Sequence, residues 1–593
     1  MKVSRERELK LSAPPGFRLP RLALADGLVG TPRGRRRLLA TYLDTEDFRL
    51  ARFGVTLRHR TGEGWTLKLP AAPTGGLLVR DELVFGGSVR RPPAEAIDLV
   101  QAFSRGRPVE PCARLRTLRS VVGLANGDGQ GLGELVDDRV SSLSETRRVQ
   151  ASFRELELEL DEEAPAKLVK RLVRLLESAG AEKSAQFPKL VRAIGAPAQA
   201  PPDVALVEVG EASTAGEVVQ STLATAVTRL IHHDPVVRLD RDPEGVHKMR
   251  VATRTLRSDL RTFEPLLDKA WSDSLRSELG WLAALLGHVR DTDVLLADLE
   301  ARVAKLADAE ARAAVRVLAT LRAERAEALA ELLAAMRGGR YVELLDRLVD
   351  AVAAPRLVPE ASGPAKELVP PLVQGPWRSL ERAVETLGKR PDDAALHDVR
   401  IRAKRCRYAA EAAAPVLGKR AGAFARAAAD LQQVLGELND AVVAEGWLRR
   451  WASGRRSPGA VFAAGELAAL ERGAADEARQ SWRRAWKALV AARPRGRGRS
   501  RERARPAASS FATASAGSRC SSSIAPHTRI GRSRKGSSSQ ASPSGRRRSA
   551  RWRRRPACGA CSGEKPARRR TPIRAADRSR SATGRWSRPV RSP

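Results

Sequence analysis

Cysteine is scarce: the 593-residue chain has five. That is too few for a disulfide framework and fits a reducing compartment. No run of about 18 apolar residues occurs, so no membrane-spanning helix is expected. The opening MKVSRERELK runs straight into alternating charge and lacks the apolar stretch of a secretory signal, which makes the cytoplasm the expected location. Leucine vanishes after position 492. What is present is ample apolar material, 42% of residues, enough for buried cores over most of the chain. A chain of this length suggests roughly three to four domains of about 150 residues each.

The formal charge of +37 is unevenly placed. Residues 493–593 hold 29 Lys and Arg against 3 acids, leaving +11 for everything before them. Residues 1–196 read mostly as strands, with period-two alternation at Val55–Arg60, Trp65–Leu69, Val79–Phe85 and Phe153–Leu160. Glycine-bearing turns at Thr61–Gly64 and Gly127–Gly131 separate such runs, and a helix is expected at Ala164–Ala179. The stretch Gly195–Asp203 has a linker composition, and 197–213 is assigned as the connection. Residues 214–492 change to spacings of three and four. Helices are expected near 215–232, 244–264, 272–301, 303–337, 376–388, 394–415, 419–450 and 464–492. The Pro-rich segment Ala354–Pro364 divides them.

One cationic pattern occurs twice in the helical region. His247, Arg250, Arg254 and Arg257 share offsets 0, 3, 7 and 10 with His397, Arg400, Lys404 and Arg407, which puts each set on one helical face. A second element recurs downstream, as LGHVRDTDV from Leu286 and LGELNDAVV from Leu435. Two elements at matching separation argue for a duplicated helical unit. A single basic run reads as a solvated face. Two in the same register, brought together by pseudo-symmetry, would form a groove for a polyanion with closely spaced phosphates. The lone histidines His232, His233 and His288 read as packing or capping groups.

These paired motifs resemble the CHAD family, the conserved histidine α-helical domains, over about 275 residues. The resemblance implies an all-helical fold whose basic cavity binds inorganic polyphosphate. It carries that role to His247, Arg250, Arg254, Arg257, His397, Arg400, Lys404 and Arg407. The second Leu-Gly element has Asn439 where the first has Arg290, so no phosphate role is carried there.

The strand region is unusual in the charges it alternates. Glu6, Glu8 and Lys10 share a face, as do Arg58 and Arg60, Arg80 and Glu82, and Glu155, Glu157 and Glu159. A sheet with one wet face would look like this. A barrel with these faces inward would set a row of cations beside a carboxylate cluster. That interior is untenable as a dry core but suits a metal–phosphate ligand. The series Glu-x-Glu-x-Lys at 6–10, Tyr-x-Asp-Thr at 42–45, Leu-Arg-x-Arg at 57–60, Trp-Thr-Leu-Lys at 65–68, Arg-x-Glu at 80–82 and Glu-x-Glu at 155–157 resembles the CYTH family of triphosphate tunnel metalloenzymes.

That resemblance implies an eight-stranded antiparallel tunnel, in a family that hydrolyses inorganic or organic triphosphates and in part cyclises ATP. It makes Arg58, Arg60, Lys68, Arg80, Arg116 and Arg119 the triphosphate grip. Glu6, Glu8, Glu155 and Glu157 become ligands of Mg²⁺ or Mn²⁺, with Glu82, Glu134 and Asp137 or Asp138 in support. Glu6, Glu8 and Lys10 are the expected catalytic group, for in-line attack of water on a terminal phosphorus. Lys10 either anchors phosphate or assists proton removal. The family's Lys-Ser-Lys-like segment is altered here to EKSAQFPKL, which keeps Lys183 and Lys189.

The tail from 493 to 593 cannot bury a core and is expected to be disordered. Three explanations stay open: a polycationic arm binding polyphosphate or nucleic acid through counterion release, an inert solvated end, or the product of a reading-frame slip in GC-rich DNA. Its Cys558-x-x-Cys561 supplies two of the four ligands a structural zinc needs and reads as chance. Cys112 and Cys406 read as small apolar packing residues, and Trp447, Trp451, Trp482 and Trp486 as helix contacts.

The expected fold is therefore α+β and multidomain: a β tunnel over 1–196, an all-α duplicated domain over 214–492, and the basic tail. The expected function is metal-dependent hydrolysis of a triphosphate or polyphosphate-type substrate, joined to polyphosphate binding. Two rivals remain, a non-catalytic polyphosphate-docking or granule-associated protein, and an adenylyl cyclase or organic triphosphatase. Nucleic acid is expected as a partner only through the tail.

Overall fold

The computed structural model describes residues 2–22, 28–71, 77–161, 164–184 and 186–493. The tail from 494, with Cys558 and Cys561, lies outside the described residues.

The alternating segments form eight long strands: β1 (Lys2–Ser12), β2 (Val29–Asp44), β3 (Thr56–Arg60), β4 (Gly64–Pro70), β5 (Leu78–Phe85), β6 (Glu110–Ala125), β7 (Gly131–Leu143) and β8 (Val149–Leu160). All neighbours are antiparallel, in the order β5-β4-β3-β2-β6-β7-β8-β1. Because β1 pairs with both β8 and β5, the sheet closes into a barrel and leaves no open edge along those strands. A two-residue strand, β9 (Glu182–Lys183), adds to the end of β1.

The barrel is inverted relative to an ordinary β core. Along β8, Leu156, Leu158 and Leu160 point outward and are buried beneath α4 (Ala166–Ser178), against Leu172 and Leu176. The glutamates between them point inward. On the other side Leu57, Trp65, Leu67, Leu83 and Phe85 also face outward. They meet Leu99, Val100 and Phe103 on the short helices α2 (Ala94–Leu99) and α3 (Gln101–Ser104). Earlier, α1 (Arg49–Arg52) follows the Tyr-x-Asp-Thr segment. After α4 come α5 (Lys189–Ile194) and α6 (Ala196–Gln199).

The helical half comprises α7 (Ala215–Leu239), α8 (Glu244–Thr262), α9 (Lys269–Val303), α10 (Asp308–Arg337), α11 (Gly339–Ala353), α12 (Ala365–Glu385), α13 (Asp393–Leu417), α14 (Lys419–Ala452) and α15 (Pro458–Ala492). Two features depart from the sequence expectation. Helix α11 was not anticipated, although Tyr341, Leu344, Leu345, Leu348 and Val352 give it a clear buried stripe. Helix α12 starts at Ala365 and not near 376, running through Pro370, Pro371 and Pro376. Prolines interrupt the hydrogen-bond ladder, so tertiary packing of Val369, Trp377 and Leu380 must hold it. At the start of α7 a reciprocal capping box joins Thr214 and Glu217.

The connection between halves is packed. Ala198 and Val204 are buried, and Arg52 donates to the Pro201 carbonyl. One apolar cluster runs from Leu57 and Phe103 of the strand half into Val218, Leu230 and Leu344 of the helical half. His232 of α7 sits edge-on to Phe53 and Phe103, at centroid distances of 6.0 and 6.2 Å. Polar clamps rim this contact. Asp98 accepts from Arg238 and Arg337, and Arg105 reaches both Asp203 and Asp346.

His232 and His233 lie inside α7, Nδ1 2.8 and 2.6 Å from the carbonyls of Thr228 and Arg229 one turn earlier. His288 is exposed. Trp451 and Trp482 are buried, and Trp486 stacks on Trp377 at 5.5 Å, as helix contacts should. Trp447 packs partly buried against the cluster around Leu448 and donates to Glu324 at 3.3 Å. Cys406 is buried, and burial pushes its thiol up to about 12. Cys112 is half-buried, its thiol pushed up to about 12 by burial and then by Asp44. Among the described residues no helix is long and apolar enough to cross a membrane.

A shared core predicts shared melting. Phe103→Ala should cost about 3–5 kcal/mol. It should shift the tryptophan signal of the barrel and the helical circular dichroism together in denaturant titration. Separate transitions would show that the halves are energetically independent.

Candidate active site and basic cleft

The inward residues enclose a cavity of about 180 Å³. Seven cations (Lys10, Arg58, Arg60, Lys68, Arg80, Arg119, Lys189) and five carboxylates (Glu6, Glu8, Glu82, Glu157, Glu159) line it, with Tyr42 and Thr56. Strand register explains their pairing. Glu6 lies opposite Arg80, Lys10 opposite Glu157, Lys68 opposite Glu82, and Arg119 opposite Asp138. Opposite charges across a ladder stabilise it.

The ion pairs follow. Lys68 Nζ stands 2.7 Å from both Glu6 oxygens and 3.2 Å from Glu82. Arg80 bridges Glu6 and Glu8. Arg119 holds Asp138 with two hydrogen bonds, at 3.0 and 2.7 Å, and reaches Glu157 at 3.2 Å. Lys10 contacts Glu157, with Glu8 at 3.5 Å and Glu155 at 3.8 Å.

These contacts set protonation. Burial pushes Glu6 up, but Lys68 and Arg80 outweigh it and hold the carboxyl at about 2. Burial opposes ionisation of Glu157 too, yet Lys10, Lys189 and Arg119 keep it well below the usual carboxylate range. Burial works against the Lys10 ammonium, while Glu157, Glu8 and Glu155 raise it above its ordinary value. Lys10 is thus held as a cation. Burial, followed by Glu157 and Glu6, lifts Glu159 to about 7 against the pull of Arg119.

Arg58 and Arg60 differ from the rest. Arg58 donates to the Tyr42 hydroxyl at 3.3 Å, and Arg60 to Glu63 at the rim at 2.6 Å. The buried Nε atoms of Arg58, Arg60 and Arg80 have no hydrogen-bond partner among the described residues. A buried donor without a partner is costly, so the inner wall asks for an anion.

Several expected residues are placed elsewhere. Arg116 is the clearest correction. It stands three residues before Arg119 on an unbulged stretch of β6, so it projects from the opposite face, beside exposed Leu118. Glu155 is fully buried behind the cavity wall, held by Lys189 at 2.9 Å and Arg192 at 3.0 Å. The carboxylates that line the cavity from β8 are Glu157 and Glu159. Asp137 faces outward and binds Arg154, whereas Asp138 faces inward. Glu134 is at the rim with Arg33. Lys183 is exposed near Glu177.

Lys189 is the residue whose importance sequence reasoning missed. Asp138 and Glu155 sit directly opposite each other across β7 and β8, a like-charge pair. The Lys189 ammonium relieves it, 3.1 Å from Asp138 and 2.5 Å from Glu157 as well. The altered segment before it docks on β1. Gln186 accepts from the Lys10 amide at 2.9 Å and donates to the Lys10 carbonyl at 3.1 Å. In Tyr-x-Asp-Thr the work is divided. Tyr42 faces the cavity, while Asp44 accepts backbone amides of Thr45, Leu50 and Ala51 and fixes the turn into α1.

In the helical half the two motif helices, α8 and α13, bring their cations together. Arg254 of α8 donates to Tyr408 of α13 at 2.9 Å. Lys404 feels, after burial, Arg254, Arg250, Arg400 and Arg257. The Leu-Gly elements lie beside the motif arginines. A Cβ at Gly287 would stand 3.8 Å from Arg250 Nε, and one at Gly436 would stand 3.7 Å from Arg400 Nε, both ordinary van der Waals contacts. Buried Nε atoms of Arg254 and Arg400 have no partner among the described residues. His397 meets Asn439 at 2.8 Å. Burial, and then Arg290 in the equivalent place of the first copy, lower the His247 imidazole. Arg407 turns to Glu411 at 2.7 Å, and Arg257 is exposed.

Removing Lys189 should expose its structural share. Lys189→Met leaves buried Asp138, Glu155 and Glu157 short of a cation. It should destabilise the protein by about 3–5 kcal/mol in urea unfolding at neutral pH. A change under about 1 kcal/mol would show that Arg119, Arg192 and Lys10 suffice.

Comparison with known proteins places these features. The CYTH domain matches residues 4–190 and the CHAD domain residues 221–449. The uncharacterized proteins MT2285 and Rv2226, from two strains of Mycobacterium tuberculosis, are each 32% identical over 488 residues, covering 77% of this chain and 90% of theirs. Among solved structures, PptA from Streptomyces chartreusis is 26% identical with a TM-score of 0.39, covering 46% of this chain and all of that one. The CHAD domain from the plant Ricinus communis is likewise 26% identical with a TM-score of 0.40, covering 49% and 96%. CYTH domains depend on divalent cations, and the family includes triphosphatases and cyclases. With its closed charged barrel and its duplicated cationic helices, the chain belongs to the family of proteins that fuse a CYTH domain to a CHAD domain.

Proposed function

We propose that the tunnel hydrolyses a triphosphate-type phosphoric anhydride with a divalent metal ion, and that the helical half binds inorganic polyphosphate. The observation that carries the first reading is the enclosed inner wall, seven cations against five carboxylates, with partnerless Nε atoms on Arg58, Arg60 and Arg80. Such a wall suits a compact, highly charged anion and offers little apolar surface to a base or a lipid.

The metal reading rests on donor chemistry. Glu6, Glu8, Glu157 and Glu159 supply hard oxygen donors to one cavity, as Mg²⁺ or Mn²⁺ requires. Among the described residues no three acid, His or Cys side chains form a ready cage, because Lys68, Arg80, Lys10 and Arg119 occupy the carboxylates. Phosphate oxygens entering the tunnel compete for those cations and free the carboxylates. Arg58 and Arg60 take the chain first, having no buried carboxylate to surrender. Lys68, Arg80 and Arg119 then turn from glutamate to phosphate and neutralise charge on the departing group. Lys10, held charged, acts as an anchor and not as a proton acceptor. When bound, the divalent ion lowers the pKa of a water and screens the phosphate oxygens.

The second reading rests on the cluster of Arg250, Arg254, Arg257, Arg400 and Lys404 contributed by two related helices. Unpaired guanidinium donors beside glycines match a chain of repeating phosphates.

A panel of tripolyphosphate, long-chain polyphosphate, ATP and thiamine triphosphate with Mg²⁺ or Mn²⁺ tests both readings. Phosphate release from tripolyphosphate should fall by about 10²–10³-fold in Arg58→Ala and be lost in Glu6→Ala. No release with either metal would overturn the enzymatic reading, and a cyclic product from ATP would replace it. Arg250→Ala and Arg400→Ala should each weaken long-chain polyphosphate binding by about 1.5–3 kcal/mol while leaving tripolyphosphate turnover unchanged. Unaltered polyphosphate affinity would overturn the binding reading.

A further inference from the structure

The duplicated cationic motif is imperfectly symmetric. Its third position is Arg254 in the first copy and Lys404 in the second. Four residues on, the copies differ again, with Ser258 against Tyr408. The Tyr408 hydroxyl accepts from Arg254 at 2.9 Å, so the guanidinium of one helix is held by the phenol of the other. Lys404 lies one helical turn after Arg400 on α13, and among the described residues no carboxylate stands within ion-pairing distance of its ammonium.

The surrounding charges are accounted for element by element. Arg250, Arg254 and Arg257 of α8 and Arg400 of α13 act directly on Lys404. The acids nearby are committed elsewhere. Asp291 of α9 binds Arg250 at 3.0 Å, and Glu411 of α13 binds Arg407 at 2.7 Å. Helix α14 presents Gly436 to Arg400 and Asn439 to His397. Arg229 of α7 acts on buried Asp259. Helix α12 meets another side of α13, where Arg402 donates to Ser379 at 2.5 Å.

We propose that Lys404 is a proton-linked phosphate contact, taking up one proton as a chain of phosphates enters the cleft and releasing it as the chain leaves. This rests on the polyphosphate reading and deepens it. The physical basis is the cluster itself. A half-buried amine among four permanently charged guanidinium groups relieves their repulsion by losing a proton above neutral pH, as the His247 imidazole, lowered by burial and then by Arg290, does at lower pH. Burial and then Arg254, Arg250, Arg400 and Arg257 push the ammonium down to about 7. A phosphate chain among the same arginines reverses the local field and restores the charged form. The sign follows. Below about pH 7 Lys404 is already protonated, and binding takes up nothing through it. Above it, binding costs a proton and weakens as pH rises, by up to about tenfold per pH unit. Arginine at this position keeps its charge and removes the linkage.

The test uses the full chain and long-chain inorganic polyphosphate without divalent metal, so that the ligand is not consumed. Calorimetry in buffers of different ionisation enthalpy reads the protons exchanged. The expected result is uptake approaching one proton at about pH 8, lost in Lys404→Arg with binding retained, while the uptake at about pH 6, which belongs to the histidines, is unchanged by Lys404→Arg. NMR titration of ¹³Cε-labelled lysine, with Lys404→Arg assigning the signal, should place Lys404 near neutrality in the free protein. Equal uptake by wild type and Lys404→Arg, or an ordinary lysine titration for Lys404, would overturn the proposal and leave polyphosphate binding standing. Absence of binding at both pH values would overturn the binding reading and the proposal together.

Discussion

Charge compensation inside the barrel is the constraint on which the architecture depends. Twelve charged side chains lining one cavity cannot be taken out of water singly, because an isolated buried charge costs several kcal/mol even after relaxation. They can be buried as a lattice in which each carboxylate meets a cation across the ladder or from an adjoining helix. Register does most of this, setting Glu6 by Arg80 and Arg119 by Asp138. Where register fails and sets Asp138 against Glu155, α5 supplies Lys189.

The inverted barrel has a consequence outside itself. Side chains alternate, so a strand that turns its charges inward must turn its leucines outward. Those leucines need cover. On β8 and β1 it comes from α4. On β3, β4 and β5 it comes from α2 and α3, which merge with α7 and α11 into one apolar cluster. The helical half is thus part of the barrel's hydrophobic solution, and the two domains meet through a core as well as through a chain segment. A Pro- and Gly-rich connection between them reads as a free linker only while the exposed faces on either side are unknown.

Much of the fold was legible because period-two and period-three-to-four patterns survive in the sequence. The inward faces were legible too, since Glu-x-Glu-x-Lys and Arg-x-Arg carry their own parity. Parity also marks the misplacement of Arg116, an odd number of positions from Arg119, and it places Asp138 inside and Asp137 outside. It does not settle depth along a strand. Glu155, Glu157 and Glu159 share a face, and only the closed barrel with Lys189 and Arg192 shows that Glu155 lies behind the wall. Lys189 itself sits on a short helix whose docking depends on Gln186 pairing with the β1 backbone, a tertiary contact with no local pattern. Helix α12 was obscured for the opposite reason, because three prolines give a strong local signal that packing overrides.

The two halves meet a similar electrostatic demand by different means. In the tunnel, cations are neutralised in advance, and an entering anion must exchange partners. That exchange ties occupancy of the cations to release of the carboxylates. In the helical cleft there are too few acids for such a lattice. Asp291 and Glu411 each take one arginine, and Tyr408 holds a further one. What repulsion remains falls on the member able to shed it. Under the proton-linked proposal, the single Arg-to-Lys difference between copies has a physical meaning that conservative substitution would hide: it would make one contact conditional on a proton, while the arginines stay permanently charged.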